Sequence, residues 1–217
     1  MVNIDKHTAI VGITGSGKTV YATKLFVDQT TLCIFINTNS EVYPEHNSQV
    51  IIHDLDGFYE AWNTYSATKI VWTPNENEDI KTEDLEQLIK LLFQIGKTIN
   101  AKRQEPKIWC HLFIDEIQEY SGKTKRSLII DRVFKRGRRY GIVGVAISQR
   151  PAEISHTILV NCYEHVIFMV SEYETQYFRD YGIPVYEGSE AWNWIQQPHC
   201  YVIFKSGRLF KYNPVRM

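Results

Sequence analysis

Gly12-Ile13-Thr14-Gly15-Ser16-Gly17-Lys18-Thr19 decides how the rest of this chain is read. It fits GxxxxGK[ST] and stands between an apolar run at 7–13 and a helical pattern at 18–28, the strand–loop–helix setting that gives the pattern meaning. Glycines let the backbone curl until successive N–H groups point inward. The helix that follows adds its positive amino end. Such a loop is built to hold phosphate. The reading assigns Gly12, Thr14, Gly15, Ser16, Gly17, Lys18, Thr19 and Val20 to a nucleotide, expected to be ATP. Lys18 reaches its β- and γ-phosphates, and the Thr19 hydroxyl serves Mg2+.

Outward from the loop, apolar runs bounded by turn residues alternate with helical patterns. That is the signature of an α/β chain with a mostly parallel sheet covered on both faces. The runs predict strands at 7–13, 32–37, 49–53, 69–73, 109–115, 142–148, 163–170 and 199–204. A ninth, at 208–212, closes a C-terminal β-hairpin through Ser206-Gly207. Helices are predicted at 18–28, 56–66, 82–103, 123–137, 151–160, 172–181 and 189–196. The 82–103 segment is the clearest, because Leu85, Leu88, Ile89, Leu92, Ile95 and Ile99 recur on one face. At 217 residues, one domain over 1–217 is the expected organisation.

Trp109-Cys110-His111-Leu112-Phe113-Ile114 is an apolar run that ends in Asp115 and Glu116. Ligands of parallel sheets sit at the carboxyl ends of strands, so both acids are expected beside the phosphates. Asp115 fits the carboxylate that holds Mg2+ with Thr19. Glu116 fits the one that orients and polarises an attacking water. A nucleotide kinase, whose acceptor is a phosphate, has no need of that second acid, so the pair points to hydrolysis. A third strand, Ile142–Ile147, ends in Ser148-Gln149-Arg150-Pro151 and is expected beside the acidic one. Gln149 is then placed to sense the γ-phosphate or hold the water.

The order of phosphate loop, apolar strand with Asp-Glu, Gly137-Arg138-Arg139-Tyr140-Gly141, apolar strand and Ser148-Gln149-Arg150-Pro151 resembles the HerA/FtsK superfamily of nucleic-acid-pumping P-loop ATPases. The match covers 7–20 and 109–155, while 30–105 agrees only in its alternation of strands and helices. The resemblance implies a RecA/ASCE-like core, a homo-oligomeric ring of five or six subunits with ATP at the interfaces, and translocation of double-stranded DNA. It also implies an arginine acting on the neighbouring subunit's ATP. Arg138 matches that position, and Arg139 and Arg150 are rivals. FtsK-type members also carry an arginine at the start of the next strand, where this chain has His165. With only 11 residues before Gly12, the chain is most similar to the genome-packaging ATPases of tailless, membrane-containing viruses. That likeness implies capsid or portal-vertex partners, in the host cytoplasm or at a virion vertex. The rival reading is a secretion or conjugation ATPase like the zonula occludens toxin family, or a non-motor regulatory ATPase. Members of the toxin family carry a membrane span after the ATPase domain, and no such run is seen before Met217.

Composition agrees. Apolar residues make up 44% and charged residues 23%, ordinary for a globular chain, and no run approaches the length of a membrane span. The amino terminus lacks a signal-peptide layout. Cys33, Cys110, Cys162 and Cys200 are scattered in or beside strands, as reduced core thiols are, and no metal site is expected from them. The net charge of −1 hides an asymmetry: residues 123–139 hold eight cations against Asp131 alone. On the predicted helix there, Leu128, Ile129, Val133 and Phe134 form the buried face. Lys123, Lys125, Arg126 and Arg132 are candidates for sequence-independent contact with DNA phosphates. In the alternative, Arg136 to Arg139 serve a subunit interface.

Overall fold

Seven strands run parallel, and an antiparallel hairpin closes one side. The computed structural model describes residues 4–38, 49–63, 68–73, 78–124 and 126–215. In chain order β1 (Thr8–Val11) leads through the glycine loop into α1 (Lys18–Asp28), followed by β2 (Leu32–Ile36), β3 (Gln49–Ile52), α2 (Leu55–Asn63), β4 (Lys69–Trp72) and α3 (Glu78–Asn100). The acidic strand is β5 (Cys110–Ile114). After it come α4 (Gln118–Ser121), α5 (Leu128–Arg136), β6 (Ile142–Ser148), α6 (His156–Asn161), β7 (Glu164–Ile167), α7 (Thr175–Asp180), α8 (Glu190–Ile195), β8 (Tyr201–Lys205) and β9 (Arg208–Tyr212). The spatial order is β3-β4-β2-β5-β6-β1-β7-β8-β9.

The central strands β1, β2, β4, β5 and β6 are buried along their length because both faces are covered. On one side Ile34, Ile36, Leu112 and Ile114 pack with Leu85, Leu88, Ile89 and Leu92 of α3 and with Ile130, Val133 and Phe134 of α5. On the other, Phe35 and Phe113 stack at 5.8 Å, and Phe26 of α1 meets both edge-on. The four cysteines are free and buried. Among the described residues no helix is long and apolar enough to cross a membrane.

One topological detail places the site: β6 lies between β1 and β5. Val11 pairs with Ser148 and Ile114 with Ala146. The residues that follow these three strands therefore emerge side by side at the carboxyl edge of the sheet.

Two predicted helices are corrected. The helix expected at 123–137 starts only at Leu128, and the one at 151–160 is interrupted at Ile154. The cause is one tie: Gly122 bridges Ile154, Lys123 N–H donates to Glu153 O at 3.0 Å, and Ser155 N–H donates to Ser121 O at 3.1 Å. Backbone used for these bonds cannot also be helical. Ser127 then caps α5, its Oγ accepting from Ile130 N–H at 3.2 Å. Starting there turns Leu128 outward, 72% exposed, and puts Ile130 in the buried face instead. The segment 172–181 likewise opens with a 3-10 turn before α7.

Candidate nucleotide-hydrolysing site

The glycine loop is shaped by contact and by dihedral. A Cβ on Gly12 would lie 2.7 Å from both Phe168 Cβ and Ser16 Oγ, so only glycine lets the chain leave β1 at that point. Gly17 has φ 102°, a region costly to residues with a Cβ. α1 begins on it with no side-chain cap and no acid in its first turn, which leaves the first N–H groups of the helix for an outside acceptor. Lys18 is buried, and among the described residues it forms no ion pair. Ser16 Oγ is buried without a partner. A buried cation and an orphaned hydroxyl beside uncapped helix donors fit a phosphate group.

Across the edge, Asp115 and Glu116 leave β5 together. Burial, then the charge of Glu116, pushes Asp115 up to about 6, with Lys18 pulling the other way. Its Oδ1 accepts from Glu116 N–H at 3.1 Å, and its backbone carbonyl accepts from Thr38 at 2.7 Å. A carboxyl held high by burial and a neighbouring anion fits a divalent cation, whose charge reverses that penalty. Asp115 and the exposed Thr19 hydroxyl are the residues that would hold Mg2+. The ion, when bound, supplies neutralisation of charge on the phosphate oxygens.

Glu116 is buried and has φ 45°, an uncommon setting for a residue with a side chain. It turns the carboxylate toward β6, where the Gln149 side chain donates to Oε1. The same amide accepts at its oxygen from Thr14 Oγ1 at 2.5 Å. A continuous chain of bonds therefore runs from the phosphate loop through Gln149 to Glu116. Gln118 Nε2 adds a bond to Glu116 Oε2 at 2.6 Å.

Thus Gly12 to Val20, Asp115, Glu116 and Gln149 share one edge, and Arg150 is exposed beside them, ion-paired with Glu153 at 2.9 Å. Arg138 and Arg139 do not join them. They precede β6 and lie at the amino edge, in a cleft of about 510 Å³ shared with Lys6, His7, Lys135 and Arg136. His7 there is pushed down to about 4 by burial and by Arg138, and it accepts from Gly144 N–H at 2.9 Å, so it stays neutral. His165 is also pushed down to about 4 by burial, so it supplies no charge in place of the family's arginine. Arg126, read as a DNA contact, instead donates to the buried Asp131 at 2.6 Å and to Thr157. Lys123 and Arg132 are exposed, and Lys125 lies outside the described residues.

Sequence reasoning missed one wall of the site. A cleft of about 290 Å³ opens beside Gly17 and Thr19, walled by Val20, Phe168, His199, Pro214 and Val215. Its mostly apolar lining suits a flat heterocycle next to the phosphates. It missed Gln118 as well. The wall residues come from distant parts of the chain and carry no local pattern; the only signal for Gln118 was its position two residues after Glu116.

The comparisons agree with this architecture. The genome-packaging NTPase B204 of Sulfolobus turreted icosahedral virus 2, solved with AMPPCP, is similar at TM-score 0.70 and 16% identity, over 99% of this chain and 100% of that one. B204 of Sulfolobus turreted icosahedral virus, described as a DNA-packaging ATPase, gives 0.67 and 15%, over 99% and 100%. This is a P-loop NTPase fold. VirB4 of Thermoanaerobacter pseudethanolicus shares it at TM-score 0.67 and 11% identity, over 100% and 92%. These neighbours are HerA/FtsK-type ATPases, the group that the motifs resemble. No protein-family model and no curated protein matches the sequence.

Proposed function

We propose that this chain, as one ATPase domain, hydrolyses Mg-ATP and uses the energy to move double-stranded DNA, packaging a viral genome into a preformed capsid. The observation that carries the hydrolytic part is the bonded chain Thr14–Gln149–Glu116. It ties the Glu116 carboxylate to the phosphate loop, which supports a role for Glu116 as proton acceptor for the attacking water and gives the loop a means of reporting what it holds. Lys18 neutralises the phosphates, while Asp115 and Thr19 hold Mg2+.

The motor part rests on the amino edge. Among the described residues Lys135, Arg136, Arg138 and Arg139 form no ion pair, and cations without carboxylates suit an anion brought from outside. In a ring of five or six copies Arg138 completes the neighbour's site, and exposed cations such as Lys123 and Arg132 face the DNA. The likeness to packaging NTPases supports DNA as cargo, and a capsid or portal vertex as partner, in the host cytoplasm or the virion. The likeness to VirB4 favours a second reading, a secretion or conjugation ATPase.

The test is ATP turnover with and without double-stranded DNA at low and high salt. Stimulation by DNA of any sequence, lost at high salt, is the expected result. Turnover indifferent to DNA favours the second reading, and absence of turnover at saturating Mg-ATP overturns the hydrolase itself.

A further inference from the structure

Three donors already occupy the Glu116 carboxylate. Gln149 donates to Oε1 through its side chain and to Oε2 through its backbone N–H at 3.4 Å, and Gln118 donates to Oε2 at 2.6 Å. A carboxylate has room for about four such bonds, and a water must take one of the best-placed positions before it can be polarised.

The two glutamines differ. Gln149 is fixed at both ends of its amide, by Thr14 on the oxygen and by Glu116 on the nitrogen. Gln118 is fixed at one end only, for its Oε1 is buried without any partner. A flip cannot cure this, because it would turn the amide oxygen against the carboxylate. Gln118 therefore makes one strong, charge-assisted bond and leaves one acceptor unsatisfied. The gain and the penalty are of the same order.

The residue also stands where it can be moved. It opens the four-residue helix α4, directly after Ile117, which is anchored in the core with its N–H on Ile147 O at 3.1 Å. It lines a cleft of about 380 Å³ with Glu119, Arg150 and Glu153. Nitrogen and oxygen belong to one rigid amide. A donor that satisfies Oε1 from the cleft side turns that amide, and the same rotation carries Nε2 off Glu116.

We propose that Gln118 is a positioning residue that latches the Glu116 carboxylate, and that turnover requires its Nε2 to leave Oε2. The proposal rests on Glu116 being the water-polarising base.

The test is steady-state ATP hydrolysis by the full chain carrying Gln118→Leu, which keeps bulk and removes the donor. The expected result is a rise of about three- to tenfold in kcat, the size of one hydrogen bond. KM should stay within about twofold, because the phosphate loop is untouched. Adding Glu116→Gln should abolish the gain. Gln118→Met, checked by melting temperature and by binding of a fluorescent ATP analogue, separates the latch from a folding defect. An equal or lower kcat in both folded variants, with the unaltered chain active, overturns the latch alone. If the unaltered chain and both variants bind nucleotide but none turns over, the hydrolase reading falls and the latch with it.

Discussion

The two edges of the sheet are built from the same strands and could hardly differ more. At the carboxyl edge the polar groups are bonded to one another, around the buried Glu116: Thr14 to Gln149, Gln149 to Glu116, Glu116 N–H to Asp115. At the amino edge a cleft of about 510 Å³ carries Lys6, Lys135, Arg136, Arg138 and Arg139. Its one buried titratable group, His7, is neutral. The first edge pairs the Glu116 carboxylate with donors of its own, while among the described residues Lys135, Arg136, Arg138 and Arg139 of the second form no ion pair. What this teaches is a contrast in electrostatics: the polar groups of one edge are bonded within the chain, and the cations of the other share a cleft without carboxylates.

The sharpest way to break the comparison is Lys18→Ala, which removes the cation buried at the phosphate loop. Binding of a fluorescent ATP analogue and turnover should both be lost; retained binding would mean that the carboxyl edge does not hold phosphate through Lys18. Next comes Glu116→Gln, expected to keep binding while kcat falls by about 10²–10⁴. Arg138→Ala should cost a comparable factor. Mixed with Glu116→Gln subunits, it should regain part of its activity, since each variant then supplies what the other lacks. No recovery at any mixing ratio would detach the amino edge from the chemistry.

A smaller effect concerns Asp115. Its folded value, about 6, lies above the unfolded value near 3.9. The proton is therefore bound more tightly in the native state. Its stabilisation is complete below about pH 4 and is lost as pH rises through 6. Without Mg2+, Asp115→Asn should then be more stable than the unaltered chain at pH 8, by about 2–3 kcal/mol. The gap should close near pH 4, and Mg2+ should narrow it at pH 8. Thermal melts at the two pH values decide the matter. Smallest is Arg126→Ala. Half-exposed on a buried Asp131, it should cost about 1 kcal/mol of stability. DNA-stimulated turnover should be unchanged, whereas a loss of stimulation would return Arg126 to the nucleic-acid face.

Much of this was legible beforehand. The central strands β1, β2, β4, β5 and β6 lie where apolar runs meet turn residues, because strands covered on both faces leave an unbroken hydrophobic record; the exposed β9 was legible from the Ser206-Gly207 turn instead. The Gly12–Thr19 loop and the Asp115-Glu116 step were legible for the same reason: each is a short pattern whose chemistry is local. Legibility failed where a residue's role is set by a distant partner. Nothing near Arg126 says that it meets a carboxylate inside the protein. Nothing near Phe168, His199 or Val215 says that they converge on Gly17. The late start of α5 was hidden too, since the tie between Gly122 and Ile154 joins segments 32 residues apart.

The helix α5 connects the two edges. Near its start Asp131 accepts from Ser121 at 3.0 Å and from Ser155 at 2.9 Å. This pins it to the segments that follow Glu116 and Gln149. At its other end it runs into the turn that carries Arg138 and Arg139. Nine residues at 1.5 Å each make a stiff strut of about 13 Å. Under the proposed function, a tilt at the pinned end would carry through the strut to the arginines at the far end.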